Sequence, residues 1–177
     1  MRIFIIGYMY SGKSSLGKRL AQYLDFPFID TDTVFELQNR STVFDFFSHQ
    51  GESEFRQAER LILYQSLAYK NAVISVGGGL PCFFDNMNWM KSKGLVVYLH
   101  AEPNTIISRM RNSHTPRPLL ANLTSEEAEQ KIKNQLCERS SFYEQAHLVY
   151  PCENANVKEL ATYIENYTLF NDTTLST

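Results

Sequence analysis

Gly7-Tyr8-Met9-Tyr10-Ser11-Gly12-Lys13-Ser14 fits the pattern G-x-x-x-x-G-K-[ST] at every fixed position. Residues 2–6 before it, RIFII, are an apolar run that reads as a buried strand. Residues 15–24 after it place Leu16, Leu20 and Leu24 four apart, which predicts a helix. Strand, glycine loop and helix are the setting in which backbone N–H groups and a helix N-terminus surround phosphates. Tyr10, Ser11, Gly12 and Ser15 supply that backbone. Lys13 brings charge to the β- and γ-phosphates, and Ser14 offers a hydroxyl to Mg²⁺. The pattern implies a nucleoside triphosphate and leaves the reaction open. Tyr10 stands mid-loop, where many such loops carry glycine. Either its φ stays negative or the loop is strained there.

Outward from this loop, short apolar runs alternate with helical patterns. Strands are predicted at 26–29, 72–76, 95–99 and 147–150. Helices are predicted at 33–40, 43–50, 54–69, 84–93, 105–111, 125–143 and 157–167, with Gly51 as a stop after the second of these and Ser125 as the N-cap of the sixth. The expected class is α/β, a three-layer α/β/α fold with a five-stranded parallel sheet. One domain is expected over 1–168, with a mobile lid at about 112–124 and a polar tail at 169–177. Ligands of such sheets bind beyond the carboxyl ends of the strands. The 7–14 loop, Asp30 and Gly77-Gly78-Gly79 each follow a strand, so they converge.

Asp30 and Asp32 follow the second strand, and alternation along an extended segment would put both on one side. One carboxylate can hold a metal through water, the other can take a proton from an attacking hydroxyl; both could instead cap the next helix. Arg56 lies three residues before Glu59, which makes either an exposed ion pair or an arginine oriented to grip a carboxylate. The three glycines allow close backbone approach by a ligand, or form a loose turn. Arg117 lies in a polar, proline-bearing loop, either a lid that lands an arginine on the transferred phosphate or a solvated loop. Arg139 is a second anion-binding arginine or a surface charge.

The chain has 177 residues and a formal net charge of −2, so neither nucleic acid nor a membrane is an expected partner. Cys82, Cys137 and Cys152 are too scattered for a disulfide framework or a zinc site. No apolar run approaches membrane-span length. The expected compartment is the cytoplasm and the expected state a monomer.

In order along the chain, GKSS, FIDTD, GESEFRxxE, ISVGGG, RPLL and ERxxxY resemble the shikimate kinase family, from residue 1 to about 160. The resemblance implies ATP and Mg²⁺, and transfer of the γ-phosphate to the 3-hydroxyl of shikimate on the aromatic amino acid route. It implies that Asp32, Arg56, Gly77, Gly78, Gly79 and Arg139 meet shikimate, with both arginines on its carboxylate and Asp32 as base. Phe47 and Phe55 would wall the ring, and Glu59 would brace the arginines. Ser14 and Asp30 would serve the metal. Lys13 and Arg117 would stabilise the transfer, and Arg109 would contact adenine. Tyr10 departs from the family's usual glycine. A gluconate-type kinase would share the loop and lid but not FRxxE with GGG. A nucleotide-binding member without catalysis would leave the substrate-type motifs unexplained.

Overall fold

The computed structural model describes residues 1–113 and 123–174. Its strands are β1 (Arg2–Ile6), β2 (Phe28–Asp30), β3 (Ala72–Ser75), β4 (Leu95–His100) and β5 (Leu148–Pro151). All pair in parallel, in the order β2-β3-β1-β4-β5. The helices are α1 (Lys13–Leu24), α2 (Thr31–Asn39), α3 (Val43–Gln65), α4 (Asn86–Lys93), α5 (Pro103–Arg111), α6 (Ser125–Tyr143) and α7 (Val157–Thr174).

The central strand shows why the sheet is covered on both faces. Ile3, Phe4, Ile5 and Ile6 are all fully buried, although alternation sends neighbours to opposite sides. On one side α1 lies so close that a Cβ on Gly17 would sit 2.6 Å from the Phe28 ring and 3.3 Å from Ile5. On the other, Phe4 meets Trp89 of α4 edge-on, with centroids 6.2 Å apart. Each such side chain contributes about 1.5–3 kcal/mol through burial. The expected three-layer α/β/α architecture with five parallel strands is what these elements build. Register then positions the site: Ser75 pairs with Ile5 on one side and Asp30 on the other. The 7–14 loop, Asp30 and the glycines therefore leave the sheet at one level.

Several boundaries differ from the sequence reading. β2 starts at Phe28 because Pro27 has no N–H for the ladder; its carbonyl still accepts from Val73 N–H at 3.0 Å. The stop expected at Gly51 is present within α3: its φ of 86° and ψ of 173° lie outside the helical region, and the two helical segments either side of it meet at a kink. A 3₁₀ turn, Ser66–Ala68, finishes α3. Helix α4 begins at Asn86, since Phe84 holds φ 54°. Thr124, not Ser125, caps α6, in a capping box with Glu127. Helix α7 runs past Tyr167 to Thr174. Arg117 and the middle of the expected lid lie outside the described residues. Among the described residues, no helix is long and apolar enough to cross a membrane.

His147 stitches β5 to β4. Its N–H donates to Val96 O, and Val96 N–H donates to its Nδ1, both at 3.0 Å. An accepting Nδ1 requires a neutral ring with the proton on Nε2. Burial, then the Lys91 charge, holds the ring's pKa below its ordinary 6.5. A depressed histidine stabilises the fold above pH 6.5 and loses that contribution as pH falls through its folded pKa. Wild type should therefore lose roughly 2–4 °C more in Tm than His147→Gln between pH 7.5 and 5.5; parallel melting curves would contradict this.

Candidate active site

Helix α1 is left open at its N-terminus. Gly12 precedes it at φ 97°, no side chain caps it, and no acid stands in its first turn. By contrast Asp30 caps α2, Thr42 caps α3 and Thr124 caps α6, while α4 and α5 share the absence of a side-chain cap. The orphan N–H groups of α1 and its dipole thus remain available to an anion. Lys13 Nζ donates to Tyr8 O at 2.9 Å, so the ammonium already lies over the loop.

Ser14 Oγ donates to Asp30 Oδ2 at 2.6 Å and lies 3.5 Å from Ser75 Oγ. Asp30 Oδ1 accepts from the N–H groups of Asp32 and Thr33 at 3.2 and 3.4 Å. Asp30 therefore caps α2 with one oxygen and accepts from Ser14 with the other, so the capping reading of this residue holds. Asp32 sits in the first turn of α2, not on an extended segment alternating with Asp30. A hydroxyl beside a carboxylate suits Mg²⁺, which prefers hard oxygens and keeps much of its shell as water and phosphate. Among the described residues, no group of three or more His, Cys, Asp or Glu gathers to make a protein-only cage.

The triple glycine is shaped by side chains of the site itself. A Cβ on Gly77 would lie 2.3 Å from Glu59 Oε1 and 2.9 Å from Asp32 Oδ1. A Cβ on Gly79 would lie 2.8 Å from both terminal nitrogens of Arg56, and one on Gly78 would lie 3.2 Å from Gly7 O and 3.8 Å from Arg139 Nη1. Gly77 and Gly79 are small so that Glu59, Asp32 and Arg56 can close on the backbone. Arg56 is 9% exposed and Glu59 4%, which rejects the exposed ion pair. Arg56 Nη1 donates to Glu59 at 2.7 Å, while Nε and Nη2 donate to Glu52 at 3.3 and 3.2 Å. A guanidinium has five N–H donors. Among the described residues, these bonds leave one on each terminal nitrogen, and a carboxylate can accept from both. Phe47 and Phe55 pack edge to face at 5.6 Å. Phe47, Phe55, Arg56 and Arg139 line the same cavity as Lys13 and Asp32, about 1290 Å³. That is room for two ligands side by side.

Arg139 is half-buried, not a surface charge. Its guanidinium lies 5.5 Å from the Tyr8 ring centroid. Arg109, rather than Arg111, faces the phosphate loop. It donates to Tyr10 O at 3.1 Å, Ser11 O at 2.7 Å and Cys152 O at 3.3 Å, whereas Arg111 pairs with Glu129. Arg109, Tyr10, Ser15 and Cys152 border a second cavity of about 290 Å³. Tyr10 has φ 62°, so the strained alternative holds.

Other site residues escaped the sequence reading. Ser75 is a lone hydroxyl in an apolar strand, a signal that was legible. Thr31 Oγ1 accepts from Gly77 N–H at 3.0 Å, and Tyr143 OH donates to Gly78 O at 2.6 Å. Tyr8 OH donates to Gln135 Oε1 at 2.7 Å; burial first, against the Arg139 charge, pushes that phenol up to about 12. The two tyrosine bonds tie the loop and the glycines to α6, and the Thr31 bond ties Gly77 to α2, across distances that no local pattern encodes.

Burial pushes Glu59 up to about 7 against the opposing pull of Arg56, with Asp32 adding to the rise. A carboxyl raised on folding gives stability that is complete below its ordinary value of 4.5 and is lost as pH rises through about 7. Relative to Glu59→Gln, wild type should therefore lose roughly 3 °C or more in Tm between pH 5 and pH 8. A constant offset between the two proteins would contradict it.

A family model described as shikimate kinase matches residues 9–168. A shikimate kinase of Bacteroides fragilis is 42% identical over 150 residues, 85% of this chain and 84% of that protein. The crystal structure of shikimate kinase from Bacteroides thetaiotaomicron superposes with a TM-score of 0.89 at 36% identity, covering 93% of this chain and 98% of that one. Shikimate kinase from Acinetobacter baumannii in complex with shikimate superposes with a TM-score of 0.82 at 31% identity, covering 96% and 93%. With an open phosphate-binding helix beside a buried Arg-Glu pair, and with these matches over most of its length, the chain belongs to the shikimate kinase family.

Proposed function

We propose that this chain transfers the γ-phosphate of ATP to the 3-hydroxyl of shikimate, with Arg56 and Arg139 on the substrate carboxylate. The observation that carries the reading is the pair of leftover N–H donors on buried Arg56, in the cavity that Lys13 and Asp32 also line. An anion without a carboxylate in that position would strand desolvated cations, so selectivity follows from burial.

The triphosphate lies along the 7–14 loop and the N-terminus of α1. Lys13 then exchanges the Tyr8 carbonyl for phosphate oxygens. The base of the nucleotide enters the smaller cavity, whose wall includes the Arg109 guanidinium. Ser14 and Asp30 would hold Mg²⁺, which when bound neutralises charge on the phosphates. Asp32 takes the hydroxyl proton as the substrate oxygen bonds to the γ-phosphorus and the bond to the β-phosphate oxygen breaks, releasing ADP. Phe47 and Phe55 exclude water from the ring side. Arg117 would complete the charge stabilisation, as the resemblance implies. Catalysis is mainly position and electrostatics.

Shikimate-dependent ADP release, compared with gluconate and nucleoside monophosphates, tests the substrate; release with gluconate alone would sink the reading. Arg56→Ala should raise the shikimate KM on the order of 10²-fold with little change in the ATP KM. Equal loss on both substrates would count against it. Asp32→Asn should lower kcat by about 10²–10⁴ at nearly unchanged ATP affinity; near-normal turnover would remove the base.

A further inference from the structure

Four residues beyond the triple glycine, the chain runs Phe83-Phe84-Asp85 between a 3₁₀ turn (Leu80–Cys82) and α4. The segment clasps two arginines that stand one turn apart on α3. The Phe83 ring centroid lies 4.2 Å from the Arg56 guanidinium carbon. Phe55 provides a second ring at 4.9 Å. The next residue, Phe84, lies 4.8 Å from the Arg60 guanidinium carbon, and Asp85 pairs with Arg60. Arg60 is fixed in turn by Tyr64, whose hydroxyl accepts from Arg60 Nε at 2.6 Å.

Phe84 carries a conformation that a bulky residue adopts only under constraint: its φ is 54°, and its side chain is exposed. Neither burial nor a turn glycine explains it. The two arginine contacts do, because successive rings must reach guanidinium groups at i and i+4 of one helix. Strain of this kind persists only where the surroundings over-determine it.

Phe83 does not line the cavity that holds Arg56, Asp32 and Lys13. It meets the lining of that cavity at Arg56. We infer that Phe83 is a positioning residue: its ring, anchored by the Phe84–Asp85 grip on Arg60, holds the Arg56 guanidinium so that its two leftover N–H donors face the substrate carboxylate. The pieces of the restraint are complementary. Glu59 and Glu52 fix three of the five donors at the edge of the guanidinium. Gly79 leaves room for the terminal nitrogens. The rings restrain the plane itself, which edge hydrogen bonds leave free to tilt. A cation with little water around it is where ring contacts act most strongly.

The inference rests on the reading of Arg56 as the carboxylate-binding arginine, and the experiment separates the two. Shikimate KM, ATP KM and kcat are measured for Phe83→Leu, Phe83→Tyr and Arg56→Lys. Phe83→Leu should raise the shikimate KM about 10-fold, with kcat and the ATP KM within about twofold of wild type, as loss of one desolvated ring–cation contact predicts. Phe83→Tyr keeps the ring and should stay within about twofold throughout. Stepwise fluorination of the ring at position 83, which preserves its shape while draining its face of negative charge, should raise the shikimate KM in steps. That series remains decisive should Phe83→Leu fold poorly. A flat fluorination series, or a Phe83→Leu variant with wild-type shikimate KM while Arg56→Lys raises it, overturns the positioning role alone. An unchanged shikimate KM in Arg56→Lys overturns the reading of Arg56 and the inference together.

Discussion

The buried pair of Arg56 and Glu59, seated on Gly79 and Gly77, sets the terms for the rest of the site. Two charges have been taken out of water on one helix, at a separation of 2.7 Å. Such pairs add little net stability, because desolvation consumes most of their attraction, while removing either partner is expensive. Here the desolvation is visible in Glu59, whose carboxyl is pushed up to about 7. The arrangement is explicable as pre-organisation: a cation held dry, oriented and incompletely hydrogen-bonded has its remaining donors ready for an anion. The glycines follow as a requirement, since a methyl group at 77 or 79 would occupy the space of a carboxylate or a guanidinium.

The same economy governs the nucleotide side. Helices α2, α3 and α6 each close their N-termini with a side chain, and α6 adds a reciprocal Glu127. Helix α1 alone among these four does not, and its first turn begins with a lysine. Register brings this open end level with Asp30 and Ser75, so the anion site and the metal-type oxygens meet without any long-range adjustment. The bonds from Tyr143 to Gly78 and from Tyr8 to Gln135 then lock α6, which carries Arg139, to both the glycines and the phosphate loop.

How much of this was legible in the sequence divides along a physical line. The phosphate loop, the parallel sheet and the convergence of Asp30 and the glycines follow from local pattern plus one topological rule. The alternatives for Arg56 and Arg139 could not be settled locally, because spacing gives the helix face and not what covers it. The glycines were read as room for a ligand or as a loose turn; Gly77 and Gly79 also make room for Glu59, Asp32 and Arg56, a relation between positions roughly twenty to forty-five apart. For Asp30 the cap was legible, and the bond its other oxygen accepts from Ser14 was not, because that partner lies sixteen positions away. Phe83 left no local signal at all: an aromatic beside a 3₁₀ turn reads as core, and its partner is set by how α3 docks.

Tyr10 shows how one departure from a pattern is absorbed. The left-handed region costs a residue with a Cβ on the order of 1–2 kcal/mol, which glycine would avoid. The φ of 62° means that the loop keeps its path and the tyrosine bears the strain. Arg109 is the counterweight. Its guanidinium spans the carbonyls of Tyr10 and Ser11 and reaches that of Cys152 beyond β5. Charge-assisted bonds to three carbonyls are stronger than neutral ones, and two of the three hold carbonyls of the loop itself. The strain at Tyr10 and the clasp by Arg109 are two sides of one device, a phosphate cradle held in shape from outside by an arginine instead of from within by a glycine.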